Sequence, residues 1–243
     1  MSGRVGSITT DIIADGLIFN MDAANRASTI PSTSTTETFN TVDLSQSGSF
    51  ENDNFFDSST ISPSFAFDGT EDYIETTKTS AYTAASLSMW IKVSGNFGVN
   101  ERQSLSSNDD YNHGRDFIIA DSPTTTNDAY IAMFAGAIIY GQTSASGGIV
   151  VNDGNWHNLV WTYDGSAGSS AAINLYVDGQ NQYSNSSYSS YWSYEIKFQY
   201  FGKPVAANAY FGGNIANSLI YNRALSANEV LHNYNALKGR FGL

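Results

Sequence analysis

The stretch from Asn152 to Gly179 decides the fold. It reads Asn-Asp-Gly-Asn-Trp-His-Asn-Leu-Val-Trp-Thr-Tyr-Asp-Gly (152–165), then a loop of small residues, then Ile-Asn-Leu-Tyr-Val-Asp-Gly (173–179). Apolar and polar residues alternate in both halves, as in strands that place one face on a core. Asp-Gly pairs stand before, between and after the two runs, where glycine tolerates positive φ and aspartate bonds its own backbone. The stretch therefore predicts two adjacent antiparallel strands.

The same alternation recurs along the chain. Its clearest sets are Leu17, Phe19 and Met21; Leu87, Met89, Ile91 and Val93; Leu159, Trp161 and Tyr163; Ile173, Leu175 and Val177; and Ile196, Phe198 and Tyr200. Less regular apolar runs at 117–120, 130–140 and 148–151 predict further strands. About a dozen strands favour an all-β, two-sheet antiparallel jelly-roll sandwich over a small barrel.

Helical periodicity is found only at the C-terminus. Ser226-Ala-Asn-Glu229 is a capping box, in which the serine hydroxyl accepts from the Glu229 backbone N–H and the glutamate reaches back. The pattern predicts a short helix over 227–238 that closes the sandwich, with Gly239 suited to the stop. Its apolar face comprises Val230, Leu231, Tyr234 and Leu237.

Composition narrows the function classes. The 243-residue chain has 23 acidic and 11 basic residues, a net charge of −12 and no cysteine. Nucleic acid and anionic membranes are unexpected partners for such a charge, and disulfides and thiolate metal sites are excluded. No apolar run suits a membrane span or a signal peptide, so we expect synthesis in a cytoplasm. We expect residues 1–15 to be an N-terminal arm or edge strand, and residues 16–243 to be one domain.

Four segments, in order, resemble the laminin-G-like, concanavalin-A-like jelly-roll domains. They are Gly16-Leu-Ile-Phe-Asn-Met-Asp-Ala23, Phe65-Ala-Phe-Asp-Gly-Thr-Glu-Asp-Tyr-Ile-Glu75, the stretch from Asp153 to Gly179, and Phe211-Gly-Gly-Asn-Ile to Tyr221-Asn-Arg-Ala-Leu-Ser226. The resemblance covers nearly the whole chain and implies two stacked antiparallel sheets. It also implies that Trp156 and His157 begin a core strand. Their alternation with Leu159 and Trp161 favours structural roles for both, with His157 hydrogen-bonded at the start of the strand.

The resemblance implies calcium as the one candidate cofactor. Members of this family often hold the ion where sheet-edge loops meet, and the matching positions are Asp22 and Asp72, the latter in the turn that begins at Asp68. Many members have Ile-Asp where this chain has Ile215-Ala216, which removes one carboxylate. Each Asp-Gly aspartate is also an ordinary turn former.

Enzyme signatures are missing from the sequence. Retaining glycosidases need two carboxyl groups on one face, and the glucanase pattern Glu-x-Asp-x-x-Glu is absent. In the acidic cluster Glu71-Asp72-Tyr-Ile-Glu75, period-two spacing would place Asp72 and Glu75 on opposite faces of a strand. No Gly-x-Ser-x-Gly elbow occurs, and the three histidines lie in unrelated contexts. We therefore expect a protein that is not an enzyme.

A serine-interleaved aromatic cluster supplies the candidate ligand-binding residues. Tyrosine and tryptophan offer a large contact area with a polar tip, which suits sugars or protein interfaces. The alternative is an edge loop filled by its own side chains. The candidates are Tyr188, Tyr191, Trp192 and Tyr194, with Tyr183 and Tyr200 in the same cluster.

The opening segment from Gly16 and the terminal Asn-Tyr-Asn-Ala-Leu-Lys-Gly-Arg-Phe-Gly-Leu (233–243) resemble proteins of tailed-phage particles. This implies a non-enzymatic virion surface protein, for capsid decoration or on a tail fibre. Its partners would be other virion proteins or copies of itself, and it would also bind host-surface glycans. The alternatives are a free carbohydrate-binding lectin module and, less favoured, a glycoside hydrolase.

Overall fold

A computed structural model describes residues 12–29, 36–52, 56–58, 61–77, 80–95, 101–107, 116–121, 128–134, 138–141, 147–166, 171–188, 196–204 and 209–243. Its strands are β1 (Leu17–Asp22), β2 (Glu37–Phe39), β3 (Ser47–Glu51), β4 (Phe56–Asp57), β5 (Ser64–Asp68), β6 (Tyr73–Thr76), β7 (Ala84–Ser94), β8 (Arg102–Ser107), β9 (Asp116–Asp121), β10 (Ala129–Phe134), β11 (Ile138–Tyr140), β12 (Asp153–Asp164), β13 (Ala171–Val177), β14 (Gln180–Tyr188), β15 (Tyr200–Phe201) and β16 (Gly212–Tyr221). They are followed by α1 (Ala227–Leu237) and a 3-10 helix (Lys238–Phe241).

The described strands form two antiparallel sheets, as the alternation predicted. The first sheet has the order β14-β13-β12-β7-β16-β5-β4, with β1 also paired to β16. The second has the order β11-β10-β9-β8-β15-β6-β3-β2. Neighbouring strands are often distant in sequence, as in a jelly roll, so the all-β sandwich with a short C-terminal helix is confirmed.

Apolar side chains fill two separate layers. The larger core lies between the sheets and contains the predicted sets on β7, β12 and β13, with Leu87, Trp161 and Leu175 each at most 1% exposed. The smaller cluster lies on the outer face of the first sheet, where Trp90 and Trp156 pack beneath Leu237 of α1. Fully burying such a side chain is worth about 1.5–3 kcal/mol, so both layers contribute to stability.

The two-residue turn Asp178-Gly179 joins β13 to β14. Both residues have positive φ, 51° and 76°, as a type I′ turn requires. An added Cβ on Gly179 would lie 2.9 Å from Leu231 of α1. Glycine at this position therefore serves both the hairpin and the seating of the helix.

Two predicted core sets change face by one residue. The β1–β16 pairing shifts between Leu17 and Phe19, so Leu17 joins the outer cluster while Phe19 stays in the core. Residues 197–199 lie outside a strand, and in β15 it is Phe201 that enters the core. Tyr200 instead packs edge-on against Tyr73, with ring centroids 5.7 Å apart.

The predicted capping box of α1 is confirmed. The Ser226 hydroxyl accepts from the Glu229 backbone N–H at 3.4 Å, and Glu229 accepts from the Ser226 N–H at 2.8 Å. Arg223 also donates to Glu229 at 2.6 Å. This bond, together with the bond from the Ser226 N–H, lowers the pKa of Glu229 to about 2. None of the described helices has the length and apolar character of a membrane span.

The described end of the N-terminal segment forms no strand. Ile12 and Ile13 pack on the outer cluster, and the Ile13 N–H donates to Asn233 Oδ1 of α1 at 2.8 Å. The Tyr221 hydroxyl donates to the Ile13 carbonyl at 3.0 Å. Residues 12 and 13 thus lie against the helix, while residues 1–11 are outside the described part of the chain.

Candidate functional site

A polar cleft opens at one end of the sandwich. Its volume is about 510 Å³, within the range of about 300–1,000 Å³ that is usual for small-ligand sites. The ends of β5 and β7 and the starts of β8 and β16 meet there, so both sheets contribute to it. It is lined by Phe67, Asp68, Gly69, Lys92, Ser94, Gln103, Gly212, Gly213 and Asn214.

Bare backbone forms part of the cleft. An added Cβ on Gly213 would lie 2.6 Å from the Lys92 carbonyl oxygen, and one on Gly212 would lie 3.2 Å from the Gly69 Cα. Any larger residue at 213 would collide with the neighbouring strand. The glycines therefore allow close strand contact and leave backbone groups near whatever enters the cleft.

Internal hydrogen bonds hold the polar side chains of the cleft in place. Gln103 Oε1 accepts from the Gly212 N–H at 3.1 Å, which ties the second sheet to the first. Asn214 Nδ2 donates to Ser64 Oγ at 3.1 Å and to Asp57 Oδ2 at 3.3 Å. These contacts fix both amides before any ligand binds.

The two charged residues of the cleft differ in how they are held. Asp68 accepts from the hydroxyl and the backbone N–H of Thr70, and these bonds hold the pKa of Asp68 below its usual value. The ammonium group of Lys92 has no ion-pair partner among the described residues. A cationic donor and a fixed carboxylate therefore flank a site that is otherwise neutral and polar.

Asp22, the first predicted calcium ligand, is engaged by an arginine. Arg240 donates from Nη1 to Asp22 Oδ2 at 2.8 Å and from Nη2 to Oδ1 at 2.7 Å, and the Asp22 side chain is only 3% exposed. The Ala24 N–H adds a third bond at 2.9 Å. A calcium ion at Asp22 would have to displace the guanidinium.

Asp72, the second predicted calcium ligand, lies in the turn between β5 of the first sheet and β6 of the second sheet. It is 6% exposed, and its Oδ2 accepts from the Asp68 N–H at 3.0 Å. Within the described ranges, no three His, Cys, Asp or Glu side chains are grouped to hold a metal ion. Calcium at Asp22 and Asp72 stays a prediction.

The predicted aromatic site falls mostly outside the described residues. Tyr191, Trp192 and Tyr194 lie there, and only the backbone of Tyr188 is described, at the end of β14 opposite Ala171. The other two members of the cluster are partly or fully buried: Tyr183 packs on the main core, and Tyr200 is 3% exposed.

His157 is hydrogen-bonded at the start of β12, as predicted, and lies between two carboxylates. Its Nδ1 is 2.7 Å from Asp178 Oδ2, and its Nε2 is 3.1 Å from Asp153 Oδ1. Burial opposes protonation, but the bonds and charges of Asp178 and Asp153 outweigh it and raise the pKa of His157. Because both ring nitrogens face acceptors, the protonated imidazolium fits this position, which ties β12 to the β13–β14 turn.

The acidic cluster considered for catalysis does not lie in the cleft. Glu75 is on the outward face of the second sheet, where the Tyr200 hydroxyl donates to it at 3.4 Å. Sequence reasoning did not identify Lys92, Gln103 or Asn214 as cleft residues, because each is on a different strand. The available signal was Gly212-Gly213 at the start of a strand, where glycine marks close backbone approach.

The paired sheets and the polar end cleft define a lectin-like jelly-roll sandwich. Residues 68–231 match a laminin G type model described as the Concanavalin A-like lectin/glucanases superfamily, and the chain belongs to this family. A comparison with curated protein sequences gives no match.

Solved structures share the fold at low sequence identity. Domain 4 of AbnA, a GH43 extracellular arabinanase from Geobacillus stearothermophilus in complex with arabinotriose, has a TM-score of 0.59 and 16% identity over 90% of this chain and 98% of that domain. The binding domain of Paraclostridial Mosquitocidal Protein 1 has a TM-score of 0.59 and 17% identity over 91% of this chain and 52% of its own. Trypanosoma rangeli sialidase with the inhibitor DANA has a TM-score of 0.60 and 10% identity over 92% of this chain and 33% of its own. The chain thus spans about half of the toxin binding domain and a third of the sialidase.

Proposed function

We propose that this protein is a non-enzymatic carbohydrate-binding domain and that its glycan binds in the end cleft. The observation that carries the proposal is the cleft itself, about 510 Å³ in volume and lined by residues of both sheets. Sites of this size hold small ligands, and a few fixed polar groups give them orientation and specificity.

The cleft lining suits the hydroxyl groups of a sugar. Sugar hydroxyls both donate and accept, so they need acceptors and donors at close range. Asp68 and Gln103 supply acceptors, Lys92 supplies a donor, and Ser94 supplies either. The Gln103 and Asn214 amides are already anchored, which reduces the entropy lost when a ligand binds.

Binding without cleavage is favoured by the carboxyl groups of the cleft. Hydrolysis of a glycosidic bond ordinarily uses two carboxyl groups that flank it. Among the described lining residues Asp68 alone bears one, and its oxygens are held by Thr70 and by the Glu71 N–H. A lowered pKa also makes Asp68 a poor general acid.

Relatives of the same fold lend support of a coarser kind. The arabinanase domain was solved with arabinotriose and the sialidase with DANA, and both ligands are saccharides or close analogues. Two other relatives are named as binding domains of toxins. Carbohydrate recognition by a sandwich of this shape is therefore a reasonable starting point for the ligand screen.

The test is a glycan array followed by calorimetry on the best ligand. Lys92→Met keeps the aliphatic stem and removes the donor, so we expect at least a roughly tenfold loss of affinity, the value of one charge-assisted hydrogen bond. Lys197→Met is the matched control, because it makes the same change at another partly buried lysine outside the cleft lining. A blank array, or equal affinities for the two variants, would remove the proposal.

Trp192→Ala separates the cleft from the aromatic cluster. Loss of binding in this variant alone would move the site to Tyr188, Tyr191, Trp192 and Tyr194. Turnover of any ligand in the same panel, lost on substitution of Glu71 or Glu75, would instead favour the hydrolase alternative.

We also propose that the domain acts on the surface of a tailed-phage particle, on capsid or tail. The support is the sequence resemblance of the segments from Gly16 and from Asn233, which lie side by side: Asp22 of β1 pairs with Arg240. Light scattering and co-sedimentation with purified particles test it. A monomer that does not bind particles would count against this role and would leave the free lectin module.

A further inference from the structure

One row of side chains crosses the outer face of the first sheet. Trp90 on β7 is the register partner of Asn158 on β12 and of Asn217 on β16. The three side chains therefore stand next to each other, with an amide on either side of the indole. All three are at most 2% exposed.

The hydrogen bonds of the two amides fix their orientation. Asn158 Nδ2 donates to the Met89 carbonyl at 3.3 Å, and Asn217 Nδ2 donates to the Met21 carbonyl at 3.3 Å. A backbone carbonyl only accepts, so each amide must present its NH₂ group there. Both Oδ1 atoms consequently face away from those carbonyls.

Among the residues that the structure describes, four buried polar atoms on this face have no hydrogen-bond partner: Asn158 Oδ1, Asn217 Oδ1, Trp90 Nε1 and Trp156 Nε1. Trp156 is on the same face, two residues before Asn158 on β12. A buried donor or acceptor without a hydrogen bond costs free energy, and most buried polar groups in proteins are paired. Two acceptors and two donors gathered around an indole are the groups that a ring bearing hydroxyls would satisfy.

An aromatic ring from the C-terminal 3-10 helix covers Trp90, and Tyr234 of α1 lies parallel to the same indole with centroids 5.7 Å apart. Phe241 stacks on Trp90 with centroids 4.0 Å apart and planes inclined by 12°, and it contacts Trp156 at 5.1 Å. Phe241 brings no polar atom of its own to the unpaired groups. It fills the stacking position over the indole and leaves the hydrogen-bonding capacity around it unused.

The row lies beside the cleft on the same face of the first sheet. Lys92, which lines the cleft, is two residues from Trp90 on the same face of β7, or about 6.8 Å along an antiparallel strand. Lys92 is also the register partner of Asn214, which lines the cleft, and of Trp156, whose Nε1 is one of the unpaired atoms beside the row. Adjacent rings of an oligosaccharide would span such a step.

We propose that the cleft continues into a second sugar subsite over Trp90, which Phe241 occupies in the absence of ligand. The proposal rests on the proposed function, because it takes the cleft as a glycan site and adds that the ligand is an oligosaccharide rather than a single sugar. The first ring binds beside Lys92. The second ring replaces Phe241 on Trp90 and pairs with the amide oxygens of Asn158 and Asn217.

The C-terminal segment restrains this exchange. Arg240, the residue before Phe241, is held by Asp22 and donates to Ser62 Oγ at 2.8 Å. The subsite is open only in the fraction of molecules in which the segment has lifted, and the apparent affinity falls by that fraction. Removing the Phe241 ring should therefore strengthen binding, whereas removal of a purely structural ring would not.

The experiment compares Phe241→Ala with wild type by calorimetry, using arabinotriose, xylotriose, cellotriose and maltotriose together with the corresponding monosaccharides. We expect at least one trisaccharide to bind roughly tenfold or more tightly to the variant, with no gain for its monosaccharide. Leu237→Ala is the control, since it removes a buried side chain of the same cluster and keeps the Phe241 ring. Phe241→Leu keeps most of the apolar volume and serves if the alanine variant does not fold.

Four outcomes decide the proposal. A gain for Phe241→Ala or Phe241→Leu that disappears when Asn217→Leu is added supports it. Trisaccharide binding equal in wild type and both Phe241 variants overturns the subsite and leaves the cleft proposal standing. No binding to any of these proteins overturns both. A crystal structure of Phe241→Ala in saturating trisaccharide with only water over Trp90 overturns the second subsite alone.

Discussion

Replacing Arg240 by methionine should destabilise the fold sharply. The Asp22 carboxylate is 3% exposed and accepts two guanidinium bonds of 2.7 and 2.8 Å, and the variant keeps only the bond from the Ala24 N–H among these three. Removing one partner of a buried ion pair costs about 3–5 kcal/mol. For a chain of this length, each kcal/mol lowers Tm by about 2–4 °C, so we expect a fall of roughly 6–20 °C.

Urea denaturation and calorimetry on four proteins measure this coupling: wild type, Arg240→Met, Asp22→Leu and the double variant. The double variant should recover a large part of the loss, because both charges are then absent. A loss below about 1 kcal/mol for Arg240→Met, or a double variant no more stable than it, would refute the reasoning. A rise in the Tm of wild type in millimolar calcium that is lost in Asp22→Leu would mean that the ion binds at Asp22 in place of Arg240.

Three further predictions concern single residues. His157→Gln should remove a pH-dependent part of the stability. Because folding raises the His157 pKa, this part is fully present below about pH 6.5 and is lost as pH rises through the folded pKa. NMR titration of the imidazole measures the pKa and melting curves from about pH 6 to pH 9 measure the stability, and flat, identical curves for variant and wild type would contradict the prediction. Ser226→Ala should cost about 1 kcal/mol of unfolding free energy through the lost cap, with Ser45→Ala in an exposed turn as control, and an unchanged urea midpoint would be the contrary result. Gly213→Ala should cost about 1–3 kcal/mol, because its Cβ would lie 2.6 Å from the Lys92 carbonyl; a variant as stable as wild type would mean that β7 and β16 separate easily.

Local patterns carried most of the fold. The period of two placed Leu87, Trp161 and Leu175 in the core, and Ser226 with Glu229 placed the start of the helix, since each rule acts between residues close in sequence. Errors arose where the backbone breaks its period, as at the register shift after Leu17. A one-residue shift reverses the face of every later side chain, and sequence alternation alone does not reveal it.

The candidate site was much less accessible from sequence. Gln103 reaches Gly212 across a separation of 109 residues, and Lys92 joins them only through sheet order. Asp22 and Arg240 are 218 residues apart in sequence. Their ion pair engages the carboxylate that was expected to bind calcium. Such contacts depend on tertiary packing, so no local sequence motif predicts them.

Backbone NMR on the labelled protein, during titration with the best glycan from the array, measures directly where the ligand binds. For a glycan in the end cleft, we expect the largest chemical-shift changes at the amides of Gly69, Gly212 and Gly213 and along the strand of Lys92, and we expect them to saturate with the calorimetric affinity. Changes confined to the residues around Tyr188 and Trp192, or none at a concentration of glycan that saturates the protein, would contradict it.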